Sequence, residues 1–387
     1  MKILITSDWY KPAINGVVTS VENLARGLTD AGHEVRILTL SGNRHSRHEK
    51  NVYFIGSLSA GVIYEKARLR LLLPAAMKKE LLEWQPDVVH SQCEFSTFGI
   101  AKEIALRCDA PLLHTYHTVY EDYTHYFFFN EVMGRKLARI FTKKILSEVD
   151  SVIVPSEKIE TLLKDYGVHK PIYDIPSGIN LQHFTCDRSQ ARRRIREDLG
   201  IKEDECVLLY LGRVAKEKNI EEILEFLKKM DDKQKLLIVG GGPNREHLED
   251  LAEKEGLKEQ VIFAGMVDPS EVPDYYAAGD IFVSASQSET QGMTYIEAMA
   301  SSLPLLCRAD VCLKGVVDNG KNGFLYRNEE EFMDYFALLQ SKASFRKEMG
   351  DLAAKSIQNR YSIQSFARSC LKAYEAALAA REVGVCA

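Results

Sequence analysis

Short apolar runs alternate with amphipathic stretches of helical period along the whole chain. Each apolar run has the composition of a buried strand and is followed by polar or glycine-containing residues, then by a helical pattern. This alternation predicts an α/β protein with two doubly wound parallel sheets. The predicted strands cover residues 3–6, 34–40, 52–55, 88–90, 112–115, 151–154 and 172–175, then 206–211, 235–239, 261–264, 281–284 and 303–307.

The two sets of strands indicate two domains. At 387 residues the chain is long enough for each domain to have its own core. The sets are separated near residues 176–184, so we expect an N-terminal domain of residues 1–180 and a C-terminal domain of residues 181–362. The tail predicts a helix over about residues 363–387 that could pack on either domain, including back on the first.

The composition is that of a soluble globular protein, with 45% hydrophobic and 27% charged residues and a net charge of −5. Its eight cysteines are scattered, which favours a reduced protein. The chain starts with a predicted strand rather than a signal peptide, and no apolar run approaches the roughly 20 residues of a membrane span. We expect a cytoplasmic protein, and no nucleic acid as a partner.

The most informative segment carries Glu289 and Glu297, with a glycine between them. A predicted strand precedes it, and good helix formers follow from Met293. The first N–H groups of that helix would form an anion site, and Gly292 lets a ligand approach the backbone. A carboxylate beside such a site suits sugar hydroxyls, so the segment predicts a sugar-nucleotide pocket. The alternative, a loop acid and a helix-surface acid without a ligand, is common.

Other unusual residues also follow predicted strands, where doubly wound sheets bind their ligands. Arg213 and Lys218 could bind one anion together, or form a solvated basic turn. The glycines around Gly241 permit either close approach of a ligand or an ordinary tight turn. His117 could face a reacting sugar, although a structural histidine is more frequent. Gly16 lies in a turn before a predicted helix over residues 19–31, and this turn could bind an anion or be an ordinary loop.

Taken together, the motifs resemble those of glycosyltransferase family 4, the retaining enzymes with the GT-B fold. The resemblance covers essentially the whole chain, and the motifs occur in the order of the family. It implies two Rossmann-like domains that face each other across a cleft. The residues that carry it are Asn15-Gly16, His117, Pro176-Ser177-Gly178-Ile179, Arg213, Lys218, Gly241-Gly242-Pro243, Glu289 and Glu297.

The resemblance implies a role for each of these residues. Arg213 and Lys218 would hold the donor diphosphate. Glu297 would accept the ribose hydroxyls, and Glu289 would contact hydroxyls of the transferred sugar. His117 would lie near the anomeric centre, so that the catalytic set is His117, Arg213, Lys218 and Glu289. The remaining donor-binding positions that the family implies are Gly16, Gly241, Met266, Val267, Gln291, Gly292, Met293 and Thr294.

The implied reaction displaces a nucleoside diphosphate with retention at the anomeric carbon. Fixed positive groups would neutralise the departing diphosphate, so we expect no cofactor, no metal site and no need for a divalent cation. The chain also has no Asp-x-Asp element of the kind that metal-dependent transferases use. No carboxylate stands out as a nucleophile, which favours front-face attack by the acceptor.

The first domain determines the acceptor in this fold. Residues 114–129 look like those of bacterial diacylglycerol glucosyltransferases, which implies transfer of glucose from UDP-glucose to 1,2-diacylglycerol. A basic helix and an aromatic loop suit an anionic membrane surface, with the protein peripheral on the inner face of the cell membrane. The alternative, with apolar residues in the core and cations in water, holds for most such helices. The acceptor or membrane residues are Tyr120, Tyr123, Tyr126, Arg135, Lys136, Arg139, Lys143 and Lys144.

Two other functions remain open. The first is a family 4 enzyme that acts on a soluble small molecule or a polysaccharide. The second is a non-catalytic protein that binds a nucleotide sugar. Retention of both Glu289 and His117 argues against the second, because a sensor has no need of the catalytic residues of both domains.

Overall fold

The computed structural model describes residues 1–60, 68–121, 131–184 and 188–385. The chain divides into two compact units: unit 1 comprises Met1–Ile179 and Ile363–Ala387, and unit 2 comprises Asn180–Ser362. The boundary predicted from the sequence lies between residues 180 and 181, next to this division. The tail predicted as a helix belongs to unit 1.

The strands are β1 Lys2–Ser7, β2 Glu34–Leu40, β3 Arg47–Glu49, β4 Val52–Ile55, β5 Ser57–Ser59, β6 Arg68–Arg70, β7 Val88–Ser91, β8 Leu112–Thr115, β9 Ser151–Val154, β10 Ile172–Asp174, β11 Cys206–Leu211, β12 Gln234–Val239, β13 Val261–Gly265, β14 Ile281–Ser284, β15 Leu305–Arg308 and β16 Gly323–Tyr326. The helices are α1 Gly16–Asp30, α2 Ala75–Trp84, α3 Phe98–Cys108, α4 Glu131–Ser147, α5 Glu157–Asp165, α6 Arg188–Asp198, α7 Ile220–Leu227, α8 Arg245–Lys254, α9 Val272–Ala278, α10 Met293–Ala300, α11 Glu329–Ser341, α12 Ala343–Ile357 and α13 Ile363–Val385.

Unit 1 is built on an eight-stranded sheet in the order β10-β9-β8-β7-β1-β2-β4-β3. Its neighbouring strands are parallel except for β3, which pairs antiparallel with β4. A separate antiparallel pair consists of β5 and β6. The sequence predicts the buried strands of this sheet but not β3, β5 or β6, because most residues of these short pieces are exposed and form no apolar run.

Both faces of the unit 1 sheet are buried. Leu4, Val89 and Val152 belong to the apolar cluster on one face, and Ile3, Ile5 and Ile153 belong to the cluster on the other. Alternate residues along each strand therefore pack in the clusters on opposite faces of the sheet, because successive side chains of a strand point to opposite sides. Because these parallel strands are buried on both faces, consecutive positions in their sequences are apolar.

Helices α1 and α13 cover one of these faces together. Phe366 and Tyr374 of α13 are buried in the same cluster as Ile3 of β1. Helix α1 begins at Gly16, earlier than the predicted residue 19, because the side chain of Asn15 accepts a hydrogen bond from Val18 N at 2.9 Å. The end of the chain therefore completes the core of unit 1.

Unit 2 is built on a six-stranded parallel sheet in the order β13-β12-β11-β14-β15-β16. The sequence predicts its strands except β16, a short strand that starts at Gly323. Gly323 is confined there, since a Cβ would lie 3.0 Å from both Leu305 Cβ and Leu305 O of β15. Helices α7 and α11 contribute Leu224 and Phe332 to its buried core.

No helix within the described ranges is long and apolar enough to cross a membrane. In the same part of the chain, no three His, Cys, Asp or Glu side chains come together in a way that could hold a metal ion.

The contact between α1 and α13 leads to a prediction about two helical glycines. At Gly27 on α1, a Cβ would lie 2.8 Å from Ile363 Cγ2 and 2.9 Å from Ala367 Cβ of α13. At Gly99 on α3, a Cβ would meet nothing within 4 Å. We expect Gly27→Ala to lower the stability by about 1–3 kcal/mol through overpacking, measured by thermal unfolding of the whole chain.

Gly99→Ala is the matched control, and it should be neutral or raise the stability by up to about 1 kcal/mol, because alanine favours a helix over glycine. If both substitutions stabilised the protein equally, α13 would not pack on α1 in solution.

Candidate active site

In unit 2, the switch point of the sheet lies between β11 and β14. From β11 the sheet continues to one side through β12 and β13, and from β14 it continues to the other side through β15 and β16. Doubly wound sheets bind their ligands outside the carboxyl ends of the strands at such a point. The residues that follow these two strands include Arg213, Lys218, Glu289 and Gly292. The fold therefore places the predicted diphosphate and sugar contacts at one edge of one sheet.

The glycine loops after β11 and β12 pack backbone against backbone. Val214 N donates to Gly241 O at 2.9 Å. A Cβ at Gly240 would lie 1.9 Å from Gly212 O, and one at Gly242 would lie 2.2 Å from Val214 O. Both glycines also have a positive φ, +133° and +159°, which L side chains rarely adopt. Only glycine fits these two positions, so the glycine run has a structural role in joining the loops.

Met266 covers the middle of this glycine run. A Cβ at Gly241 would lie 3.0 Å from Met266 Cγ, and the side chain of Met266 is 63% exposed. Val267 beside it is half-buried. The segment that the family resemblance assigns to the nucleobase thus lies next to Gly241, at the same edge of the sheet.

Lys218 and Glu289 join the loops of β11 and β14. Lys218 Nζ lies 2.6 Å from Glu289 Oε1 and 3.5 Å from Ser288 Oγ. Ser288 Oγ donates in turn to Glu217 O at 3.2 Å. The side chains of Lys218 and Glu289 are only 14% and 21% exposed, so the pair is shielded from most of the solvent. The structure therefore brings together two of the residues predicted to be catalytic.

Arg213 lies on the same loop as Lys218. Its carbonyl oxygen accepts a hydrogen bond from Tyr210 OH at 2.8 Å, which holds the loop against β11. Its guanidinium Nη1 is 3.9 Å from Glu217 Oε1, and a third of the side chain is exposed. The loop thus holds two cations, one in a half-buried ion pair and one nearer to the solvent.

Two constraints require a glycine at the N-cap of α10. Gly292 is its N-cap residue with φ 74°, in the left-handed region. A Cβ at Gly292 would lie 2.1 Å from Tyr295 Cδ2. Gln291 before it is buried, whereas Met293 and Thr294 after it are half-buried. These constraints place the first N–H groups of α10 beside the loop that carries Glu289, where they favour an anion.

Glu297 is held inside α10 by a tyrosine of α9. Tyr276 OH donates to Glu297 Oε2 at 2.9 Å and to Thr294 O at 3.2 Å. Burial raises the pKa of Glu297 to about 7, and the hydrogen bond from Tyr276 opposes that rise. Burial also raises the pKa of Tyr276, so its hydroxyl stays a donor. With Oε2 held by Tyr276, the carboxylate keeps acceptor capacity for ligand hydroxyls.

His117 and Gly16 lie in unit 1. His117 Nε2 is 2.7 Å from Gln92 Oε1, just after β7. Burial lowers the pKa of His117 to about 4, so the imidazole is neutral near pH 7. With Nε2 donating to Gln92, Nδ1 is a hydrogen-bond acceptor. Gly16 is exposed at the first position of α1.

Three residues of these sites were not predicted from the sequence: Tyr276, Ser288 and Gln92. Tyr276 and Gln92 act on Glu297 and His117 from elements more than twenty positions away in the chain. Gln92 and Ser288 carried a signal, because they follow the predicted strands of residues 88–90 and 281–284 at the carboxyl edges of their sheets.

Helix α4 exposes cations and apolar side chains together. Its buried positions are occupied by Gly134, Ala138, Thr142 and Leu146. Its predicted cations, Arg135, Lys136, Arg139, Lys143 and Lys144, are exposed. Among them, Val132, Met133, Leu137 and Ile140 are 79%, 56%, 45% and 54% exposed. The helix therefore differs from one whose apolar residues all face the core.

Two of the predicted acceptor or membrane residues make contacts within unit 1. Arg139 donates to Asp165 O and lies over the ring of Tyr166 at 5.4 Å, so it also fastens α4 to the end of α5. Tyr120 donates its hydroxyl to Glu94. Tyr123 and Tyr126 lie outside the described residues.

Two family models match the chain. Glycosyltransferase Family 4 matches residues 14–183, and Glycosyl transferases group 1 matches residues 191–356. The chain is 36% identical over 338 residues to the "Alpha-monoglucosyldiacylglycerol synthase" of Streptococcus pneumoniae, which covers 86% of this chain and 76% of the relative. It is 33% identical to the protein of the same name from Acholeplasma laidlawii, over 97% of this chain and 96% of the relative.

Solved structures resemble the whole fold. Sucrose-phosphate synthase from Thermosynechococcus elongatus has a TM-score of 0.78 at 22% identity, and covers 98% of this chain and 99% of its own. Anabaena HepE in complex with UDP has a TM-score of 0.75 at 15% identity, and covers 97% of this chain and 100% of its own. At these identities the likeness bears on the fold alone, and it confirms the predicted GT-B class.

The shielded Lys218–Glu289 pair predicts that Lys218 binds a diphosphate. We expect Lys218→Ala to weaken UDP binding by about tenfold to a hundredfold, because a charged hydrogen bond is lost and Glu289 is left without its cation. Titration calorimetry measures the effect. Lys216→Ala is the matched control, since Lys216 is exposed in the same turn. Equal affinities for UDP in the two variants would contradict the assignment.

The raised pKa of Glu297 predicts that donor binding depends on pH. Below about pH 7 the carboxyl group takes up a proton and loses acceptor capacity for ribose hydroxyls. The affinity for UDP-glucose, whose diphosphate does not titrate in this range, should therefore fall as the pH is lowered, by up to about tenfold per pH unit. Titrations between about pH 6 and pH 8 measure it.

Glu297→Gln should bind UDP-glucose more weakly and lose this pH dependence. His117 does not interfere, because its pKa of about 4 lies below the range. An unchanged pH dependence in Glu297→Gln would mean that another group titrates.

Proposed function

This chain belongs to glycosyltransferase family 4, and on that basis we propose that it transfers glucose from UDP-glucose to 1,2-diacylglycerol at a membrane surface. It is a hexosyltransferase, as predicted from the sequence. The identities of the sugar donor and of the lipid acceptor, together with the membrane location, are the proposal. The observation that carries it is the 33% identity along almost the whole chain to a protein named for this lipid product.

The donor site supports the proposal through its charges. The ammonium of Lys218 and the N-terminus of α10 lie at the edge of the sheet where a diphosphate would leave. Such prepositioned charges stabilise a transition state in which negative charge grows on the leaving group. We therefore expect turnover without a divalent cation, which an assay in EDTA tests.

The environment of Glu289 supports retention by front-face attack. Its Oε1 is bound to Lys218 at 2.6 Å, a pairing that lowers its value as a nucleophile. The bond between the anomeric carbon and the diphosphate oxygen would then break as the acceptor oxygen bonds to the same face of the sugar. The departing phosphate oxygen would take the proton of the acceptor hydroxyl.

The surface of α4 supports a lipid acceptor. Exposed Lys136, Lys143 and Lys144 accompany exposed Leu137 and Ile140 on one helix. Cations attract anionic headgroups, and apolar side chains beside them enter the interface. The anionic cytoplasmic leaflet would satisfy both requirements, and this supports the inner face of the cell membrane as the proposed location.

The test is a transfer assay with UDP-glucose. We expect the protein to glucosylate diacylglycerol in vesicles that contain anionic phosphatidylglycerol, and to do so much less in purely zwitterionic vesicles, as measured by mass spectrometry of the lipid product. Retention predicts an α-linkage, read by NMR of the anomeric proton. Glucosylation of soluble acceptors with no reaction of diacylglycerol would contradict the proposal, and so would a β-linked product.

A triple variant connects the assay to α4. Lys136→Gln, Lys143→Gln and Lys144→Gln together should weaken binding to anionic vesicles about a hundredfold, at about 1 kcal/mol per cation. The control replaces three exposed lysines of unit 2, Lys229, Lys233 and Lys321, and should keep the affinity. Equal loss of vesicle affinity in both triple variants would mean that net charge, not α4, attracts the membrane.

A further inference from the structure

Unit 1 has a switch point of its own, between β1 and β7. The sheet continues from β1 through β2 to one side and from β7 through β8 to the other. The residues just beyond the carboxyl ends of these strands include two acids, Asp8 and Glu94. The same rule that applies to the site of unit 2 predicts that a ligand of unit 1 binds at this point. The two acids differ in what they do there.

Asp8 has a structural role. Its Oδ1 accepts hydrogen bonds from Thr97 N at 2.7 Å and from Thr97 Oγ1 at 2.6 Å, and its Oδ2 accepts one from Ser96 N at 2.7 Å. It therefore holds the loop that leads into α3. This loop also carries Glu94 and Phe95, so Asp8 fixes both of them in position.

Glu94 is also buried, and its hydrogen-bond partners within the described ranges are side chains. Its side chain is only 6% exposed. Tyr120 OH donates to its Oε2 at 2.6 Å, and His114 Nε2 lies 3.2 Å from its Oε1. A carboxylate has about four acceptor positions, so these two donors leave capacity for a ligand hydroxyl. Burying a charged group costs free energy, and a ligand contact would explain why this one is kept.

An aromatic cluster lies against this carboxylate. Phe95 stacks on Phe141 of α4 with 5.6 Å between ring centroids, and Tyr120 makes edge contacts with both rings at 5.8 and 5.6 Å. Phe95 is nevertheless 58% exposed. Phe141 belongs to the helix that presents exposed cations and apolar residues. The Glu94 carboxylate, the exposed ring of Phe95 and helix α4 therefore lie side by side, linked through Tyr120 and Phe141.

We propose that the Glu94 carboxylate accepts a hydrogen bond from the reacting hydroxyl of diacylglycerol as the acceptor binds, and that Phe95 and Phe141 contact its acyl chains. The proton of this hydroxyl then passes to the departing phosphate oxygen in the transfer step. The inference rests on the proposed lipid acceptor and names where that acceptor binds. A neutral amphiphile with a single hydroxyl matches a buried carboxylate beside exposed aromatic rings. The carboxylate repels an acceptor that carries a phosphate group next to its hydroxyl. Tyr120 and His114 orient Glu94 and are positioning residues.

Two acceptors separate the parts of this site: dioleoylglycerol in anionic vesicles and dibutyrylglycerol in solution, each with saturating UDP-glucose. Glu94→Gln should lower kcat/KM about tenfold to a hundredfold for both acceptors, because both present the same hydroxyl. Its affinity for UDP should stay that of the wild type. Glu148→Gln, on the surface of unit 1, is the matched control and should keep the activity.

Phe95→Ser should lower kcat/KM for dioleoylglycerol by at least about fivefold and affect dibutyrylglycerol much less, because the long acyl chains bury far more apolar surface against the rings than the butyryl chains do. Because Phe95 is 58% exposed, we expect this variant to fold, and it tests the acyl-chain contact even if Glu94→Gln does not fold. Leu106→Ser is the control, since Leu106 is 79% exposed on α3 of the same unit.

The outcomes are distinguishable. If the wild type glucosylates neither glycerol, the proposed function fails and this inference with it. If the wild type is active but Glu94→Gln matches it on both acceptors, the proposed function stands and Glu94 does not bind the hydroxyl. Equal effects of Phe95→Ser on both acceptors, or no effect, would remove the acyl-chain contact.

Discussion

The ion pair between Lys218 and Glu289 is the interaction on which the donor site depends. It ties the loop after β11 to the loop after β14, two strands that are neighbours in the sheet but lie far apart in the chain. Both side chains are largely shielded from water, so removing either would leave an uncompensated charge. An ammonium group has three donors, so pairing with Glu289 is compatible with binding a phosphate oxygen. One contact thus holds the loops in place and supplies the positive charge.

The two glutamates of the motif behave differently because their surroundings differ. Glu289 is paired with a cation, whereas burial raises the pKa of Glu297 to about 7 although the hydroxyl of Tyr276 donates a hydrogen bond to it. The first joins two loops of the sheet, and the second keeps acceptor capacity for the hydroxyl groups of a ligand. The two acids of unit 1 also differ: Asp8 accepts hydrogen bonds from backbone N–H groups and from the Thr97 hydroxyl, whereas the partners of Glu94 among the described residues are the side chains of Tyr120 and His114.

The sequence predicted the sheets because parallel strands buried on both faces leave continuous apolar runs, and it located the site because strand ends carry the unusual residues. It missed β3, β5, β6 and β16, which are short and either exposed or led by a glycine. It also missed Tyr276, Gln92 and Glu94. Their roles arise from contacts with residues twenty or more positions away. The positions of Gln92 and Glu94 after a predicted strand indicate the edge of the sheet but not the residues that they contact. The sequence left open whether the apolar residues of α4 are exposed or face the core, because periodicity does not reveal what covers a helix.

The most direct measurement is a crystal structure of the protein soaked with UDP-glucose. The account predicts that diphosphate oxygens lie within hydrogen-bond distance of Lys218 Nζ and of the first N–H groups of α10, with the ribose hydroxyls on Glu297. A diphosphate bound elsewhere, in contact with neither Lys218 nor the start of α10, would contradict it.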